Sequence, residues 1–93
     1  MPVVFVIPGP LRELAEDRST VRVAGTPHSV SEALGLLWRE HPGLRDRIIT
    51  ELGEVRPHIN IFVDGENIHH SGELATALGP GSEVVILPAL SGG

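Results

Sequence analysis

The sequence contains no cysteine and no lysine, and only Trp38, Phe5 and Phe62 are aromatic. Without cysteine there can be no disulfide, no thiolate metal site and no cysteine nucleophile. All seven basic residues are arginine. The chain therefore offers no side-chain amine for an isopeptide bond, and polymers built on its own lysines are impossible. With so few aromatic residues, the core has to be aliphatic. No apolar run approaches membrane-spanning length. Pro2–Ile7 is too short for a hydrophobic signal core and lacks a basic flank. A cytoplasmic, soluble protein with no membrane partner is expected. Positive charge is also scarce: the net charge is −5, which argues against nucleic acid, where a basic face is needed. It suits docking onto a basic partner.

Ninety-three residues make one small domain that buries roughly 60–65% of its unfolded surface. That leaves room for one core and no deep substrate cavity. Pro2-Val3-Val4-Phe5-Val6-Ile7 reads as a strand ended by Pro8-Gly9-Pro10. Leu11–Ala15 is at most a short helical turn. Thr20-Val21-Arg22-Val23 alternates and reads as a second strand hairpinned with the first. Ser29 and Glu32 form a capping-box pattern, and Val30, Ala33, Leu34, Leu37 and Trp38 follow helical spacing to about His41. Leu44, Ile48, Ile49 and Leu52 predict a second, shorter helix over 44–52, with Gly53 just past its end.

After a loop over 54–57, His58–Val63 is the third strand. Asp64-Gly65 is a hairpin turn signal, and Glu66-Asn67-Ile68 is its return arm. Leu74–Leu78 predicts one helical turn. Glu83–Leu87 is the last strand, with Pro88 ending its ladder because proline donates no hydrogen bond. This order predicts an α+β fold of the β-grasp type: a four- to five-stranded mixed sheet on one main helix. The continuously apolar first and last strands pair parallel at its centre.

One helix covers one face of a sheet. In the third strand Ile59, Ile61 and Val63 point one way, and Asn60 and Phe62 the other. With the first set on the helix, Phe62 lies on the open face, together with either Val84 and Ile86 or Val85 and Leu87. An apolar cluster there reads as a docking patch, unless loop 53–57 or the short helix covers it.

The sequence closes on Leu90-Ser91-Gly92-Gly93. A diglycine end has no side chains to obstruct a narrow channel, and it presents a bare carboxylate. Other constellations carry less chemistry. His69-His70 are adjacent and would point oppositely on a strand; His28, His41 and His58 are scattered, so no metal site is expected. Gly79-Pro80-Gly81 lacks the lysine and Ser/Thr of a phosphate loop. No nucleophile motif surrounds any serine. Glu13, Glu16 and Asp17 read as a solvated face. The expectation is a protein cosubstrate without an intrinsic active site and without a bound cofactor.

Three segments carry a family resemblance: Leu11-Arg12-Glu13-Leu14 after the first strand, Val30-x-x-Ala33-Leu34 opening the helix, and above all the run Gly81 to Gly93. Together they resemble the MoaD/ThiS family of ubiquitin-like sulfur carriers. The stretch 59–68, with Ser71-Gly72-Glu73-Leu74-Ala75-Thr76-Ala77-Leu78, is most similar to carriers of the CysO type. The resemblance implies a β-grasp domain over 1–88 and a flexible tail over 89–93. It implies that a ubiquitin-activating-like adenylyltransferase, using ATP and Mg, adenylates the Gly93 carboxylate. A sulfur donor then converts it to a thiocarboxylate. It further implies a sulfur-acceptor synthase and, for cysteine synthesis, a metalloprotease that trims the product; molybdopterin synthesis is the next acceptor in line. Leu87 and Leu90 match hydrophobic partner-contact positions of the family; Pro88, Ser91 and Gly92 complete the partner-binding set, and Phe62 joins it from strand alternation. Two other roles share the same features: a modifier joined through Gly93 to target lysines, and a non-covalent binding subunit.

Overall fold

In the computed structural model, which describes residues 1–88, the apolar run at the start of the chain forms β1 (Val3–Val6). It pairs antiparallel with β2 (Thr20–Val23), with Phe5 opposite Val21. β3 (Ile59–Val63) turns into β4 (Glu66–Asn67), and β5 (Glu83–Pro88) closes the sheet. The five strands lie in the order β2-β1-β5-β3-β4. β5 is central, parallel to β1 and antiparallel to β3, as its continuous apolar character predicts. The described residues form the mixed five-stranded α+β architecture expected of a β-grasp.

The main helix, α1 (Val30–Glu40), covers one face of the sheet. Val30, Ala33, Leu34 and Leu37 are buried, in the company of Phe5, Ile61, Val84 and Ile86. Each Val, Leu, Ile or Phe among them contributes about 1.5–3 kcal/mol by leaving water, which is why strand alternation and helix periodicity have to agree. The Ser29 hydroxyl accepts the Glu32 N–H at 3.2 Å. The Glu32 carboxylate reaches past the cap and accepts the His28 N–H at 3.1 Å. The box thus closes one residue further out than a reciprocal Ser29–Glu32 pair.

Several local expectations are corrected. The helix anticipated over 44–52 is a 3-10 turn, Pro42–Leu44, followed by a single α turn, α2 (Arg45–Ile48). Ile49 is extended and bridges Val55, while Leu52 is 86% exposed. The physical reason is local: Ile48, Ile49 and Thr50 are β-branched, and the Thr50 backbone and hydroxyl bond the turn that follows rather than a helix. Gly53 takes its positive φ of 82° in that turn, where its N–H meets the Thr50 carbonyl. The short turn near Leu11 is longer than expected, a 3-10 segment from Gly9 to Ala15.

The helical turn expected at Leu74–Leu78 lies at Glu73–Ala75, and Ala77 instead bridges Ser29. β4 is one residue shorter than the expected return arm, because Ile68 opens a 3-10 turn that ends at His70. His69 and His70 therefore stand on a turn, not a strand. His58 precedes β3 rather than opening it. Pro88 is the last residue of β5, opposite Ile59, so the ladder to β3 includes it.

Candidate functional site

Alternation along β3 and β5 sorts their side chains between two environments. Ile59, Ile61, Val63, Val84 and Ile86 are buried against the helix side. Asn60, Phe62 and Val85 are half-buried on the other face, and Leu87 is 44% exposed. Phe62 is directly opposite Val85, which is level with Val6 of β1; Asn60 is opposite Leu87. A transverse apolar row of Val6, Val85 and Phe62 therefore crosses the middle of the uncovered face, with Thr20 and Asn67 at its two ends. The choice left open by the sequence falls to Val85 and Leu87.

This face stays uncovered among the described residues. Ile48 and Ile49 belong to the helix-side core, and Gly53 lines a groove with Leu34 and Trp38 of α1. Loop and short helix thus pack on the helix layer and leave Phe62 and Leu87 accessible. Val4 and Val6 extend the strip, and alternation alone could not have nominated them, because every residue of β1 is apolar.

The strip leads to the end of β5. Pairing with β1 reaches only Val85, and beyond it Ile86, Leu87 and Pro88 pair with β3 alone. Proline brings no N–H to extend the ladder. The start of the strand is fixed differently. Asp64, at φ 47°, and Gly65, at φ 90°, make the tight turn that Asp-Gly predicts. The Asp64 N–H donates to the Glu83 carbonyl at 2.9 Å, and its carboxylate accepts the Glu83 N–H at 2.9 Å. The sequence marks Asp64 as a turn residue; only the fold places its carboxylate on β5. Leu90, Ser91, Gly92 and Gly93, the other members of the expected site, lie outside the described residues.

Among the described residues, no group of three or more His, Asp or Glu side chains is placed to hold a metal ion. A surface hollow of about 700 Å³ is lined by Glu16, Arg18, Thr20, Val21, Arg22, Glu40 and His41, away from β3 and β5. No described helix is long and apolar enough to cross a membrane.

Comparison with known proteins places this geometry. The ThiS family model matches residues 5–93. The sulfur carrier protein CysO of Mycobacterium tuberculosis is 32% identical over 95 residues, an alignment covering 100% of both chains. Small archaeal modifier protein 3 of Haloferax volcanii is 34% identical over 82 residues, covering 88% of each chain. Among solved structures, a chain in the Amycolatopsis orientalis BexX/CysO complex superposes with a TM-score of 0.87 at 30% identity, covering 98% of this chain and 99% of that one.

Proposed function

The chain belongs to the ThiS family, a family of small sulfur carriers and ubiquitin-like modifiers, and we propose that it is a sulfur carrier whose reactive group is the Gly93 carboxylate. The observation that carries this reading is a continuity. A half-exposed apolar strip on the uncovered face runs along β5 through Val85 and Leu87, and in the sequence Gly92-Gly93 follow within five residues of Pro88, the last residue of that strand.

A carboxylate is a poor electrophile. A partner adenylyltransferase, using ATP and Mg, sets a Gly93 oxygen against the α-phosphorus; pyrophosphate leaves and an acyl-adenylate forms. Sulfur from a hydrosulfide-equivalent donor then attacks the carbonyl carbon, and AMP departs with the former carboxylate oxygen. The terminal thiocarboxylate is a nucleophile ready for transfer to an acceptor synthase. This chain's contribution is positioning. Phe62, Val85 and Leu87 give the partner an apolar grip. Pro88, the last residue of β5, brings no N–H to carry a ladder onward. The five residues 89–93 reach about 17 Å when extended, enough to enter a buried site while the domain remains outside. Full-length similarity to CysO supports cysteine synthesis as the destination, with a metalloprotease to trim the product; molybdopterin or another sulfur-containing cofactor is the next candidate.

The test is the intact mass of the protein after incubation with its adenylyltransferase, ATP and a sulfur source. One oxygen should be exchanged for sulfur, and a chain lacking Gly93 should remain uncharged. A truncated chain that still acquires sulfur would sink the proposal.

A second reading, a modifier joined through Gly93 to target lysines, is favoured by the similarity to small archaeal modifier protein 3. Both readings share the adenylation step. Covalent adducts recovered with a tagged copy from cells would favour the modifier, and a free thiocarboxylate pool the carrier. Amidating the C-terminus separates both from a non-covalent binding subunit, which would retain its function.

A further inference from the structure

We infer that the outer edge of β2 is a self-association surface, on which a second copy of this chain pairs antiparallel to give one ten-stranded sheet. The inference does not depend on the chemistry of Gly93.

Hydrogen-bond direction along β1 fixes which backbone groups of β2 face outward. The Val4 N–H donates to the Ser82 carbonyl at 3.0 Å, away from β2. The Ile7 N–H donates to the Ser19 carbonyl at 2.8 Å, toward it. Direction alternates from residue to residue, so Val4–Arg22 and Val6–Thr20 are the non-hydrogen-bonded pairs of this ladder. The N–H and C=O groups of Thr20 and Arg22 therefore point out of the sheet. Both residues are exposed, and no described strand lies beyond β2. The opposite edge offers less, because β4 has two residues and Ile68 leaves it in a 3-10 turn.

Sheet edges are ordinarily blunted by lysine, proline, a bulge or a covering element. β2 has no lysine or proline, and its register with β1 runs from Val23 to Thr20 without a bulge. The hollow of about 700 Å³ lies alongside it, so approach is open. That hollow sets Glu16 and Glu40 against Arg18 and Arg22. A partner of one charge sign would meet two of the four as like charges. A second copy brings the same balanced set, as a two-fold interface requires.

The register follows from the same residues. With Val21 on the two-fold axis, Thr20 pairs with Arg22 of the second copy and Arg22 with its Thr20. All the outward groups of both residues are then satisfied, by four backbone bonds. An axis at Arg22 would oppose two arginines. An axis at Thr20 would oppose Arg22 to Arg18, whose N–H already serves the Ala15 carbonyl. The axis stands perpendicular to the sheet, so both open faces look the same way. β1 and β5 separate β2 from β3, and Phe62 and Leu87 stay uncovered in both copies.

Sedimentation equilibrium of the full chain should show mass rising toward twice the monomer, with a Kd of about 0.1–1 mM, as suits a small transient contact. Amide exchange at Thr20 and Arg22 should slow as concentration rises, and exchange in β4 should not. Thr20→Arg opposes two like charges and should weaken association about threefold or more, and Thr20→Glu should strengthen it by a similar factor. Arg22→Pro removes an outward N–H that the β1 ladder does not use and should weaken it about tenfold or more. Urea unfolding checks that each variant is folded; should Arg22→Pro not fold, the two Thr20 variants decide. A monomer throughout this range would overturn the inference. So would protection that falls elsewhere than β2, or a response to Thr20→Arg and Thr20→Glu in the same direction.

Discussion

Phe62 of β3 stands directly opposite Val85 of β5 on the face that α1 leaves open, while its neighbour Ile61 stands opposite Ile86 inside the core. Adjacent residues of one strand thus face two environments, and the proposed function gives them two purposes, recognition for Phe62 and stability for Ile61.

Phe62→Ala and Ile61→Ala should separate those purposes. Ile61 is only 1% exposed, and its truncation should cost about 2–5 kcal/mol of stability in urea unfolding. Phe62→Ala removes a half-buried ring and one cross-strand pair and should cost about 1 kcal/mol. Its larger effect should be on affinity for the activating partner, weakened about tenfold or more in a binding titration.

Leu87→Glu places a charge at the exit of β5. Since Leu87 is 44% exposed, the unfolding midpoint should change little, within about 0.5 kcal/mol. Burying that carboxylate in an apolar interface should cost about 2 kcal/mol of binding or more. Unchanged affinity would show that the partner does not cover Leu87.

Ser29→Ala removes the hydroxyl that accepts the Glu32 N–H and should cost about 1 kcal/mol. For a domain of this size that lowers Tm by about 4–8 °C. Glu32→Ala should have a separate effect, since its carboxylate serves the His28 N–H rather than that of Ser29. A double-mutant cycle between the two should therefore show weak coupling, within about 0.5 kcal/mol.

Asp64→Ala loses the acceptor of the Glu83 N–H and a residue tolerant of the left-handed region. A cost of about 1–2 kcal/mol is expected. Hydrogen exchange at the Glu83 amide should accelerate, and an unchanged rate would argue against the bond.

Gly92→Val should leave thermal unfolding unaltered and lower the rate of enzymatic charging by about tenfold or more, because a branched Cβ cannot follow glycine through a narrow channel. Charging at the wild-type rate would remove the requirement for a side-chain-free end.

Much of this protein is written locally. The Ser29 cap, the Val30–Trp38 periodicity, the Asp64-Gly65 turn and the alternation of Ile59–Val63 each identify their element, because each depends on contacts within a few residues. Ile48–Leu52 shows where that fails. Its apolar spacing suits a helix, but β-branched residues beside Thr50 gain more from a bridge to Val55 and a bonded turn. Local preference there was nearly balanced, and long-range packing decided it.

By itself, the sequence determined the strands and the main helix, the pairing of hydrophobic periods that makes a β-grasp, the diglycine end, and the absence of any amine or thiol side chain. Only the tertiary structure decided which residues share the open face. β1, and β5 from Val84 to Leu87, are apolar at every position, so alternation cannot orient them; the register opposite Phe62 puts Val6 and Val85 outside and Phe5 and Ile86 within. The same register, by running β1 and β5 parallel, holds Met1 and the tail's point of departure at opposite ends of the sheet. Proximity between residues so far apart in sequence is a property of the packed sheet, and no short-range pattern encodes it.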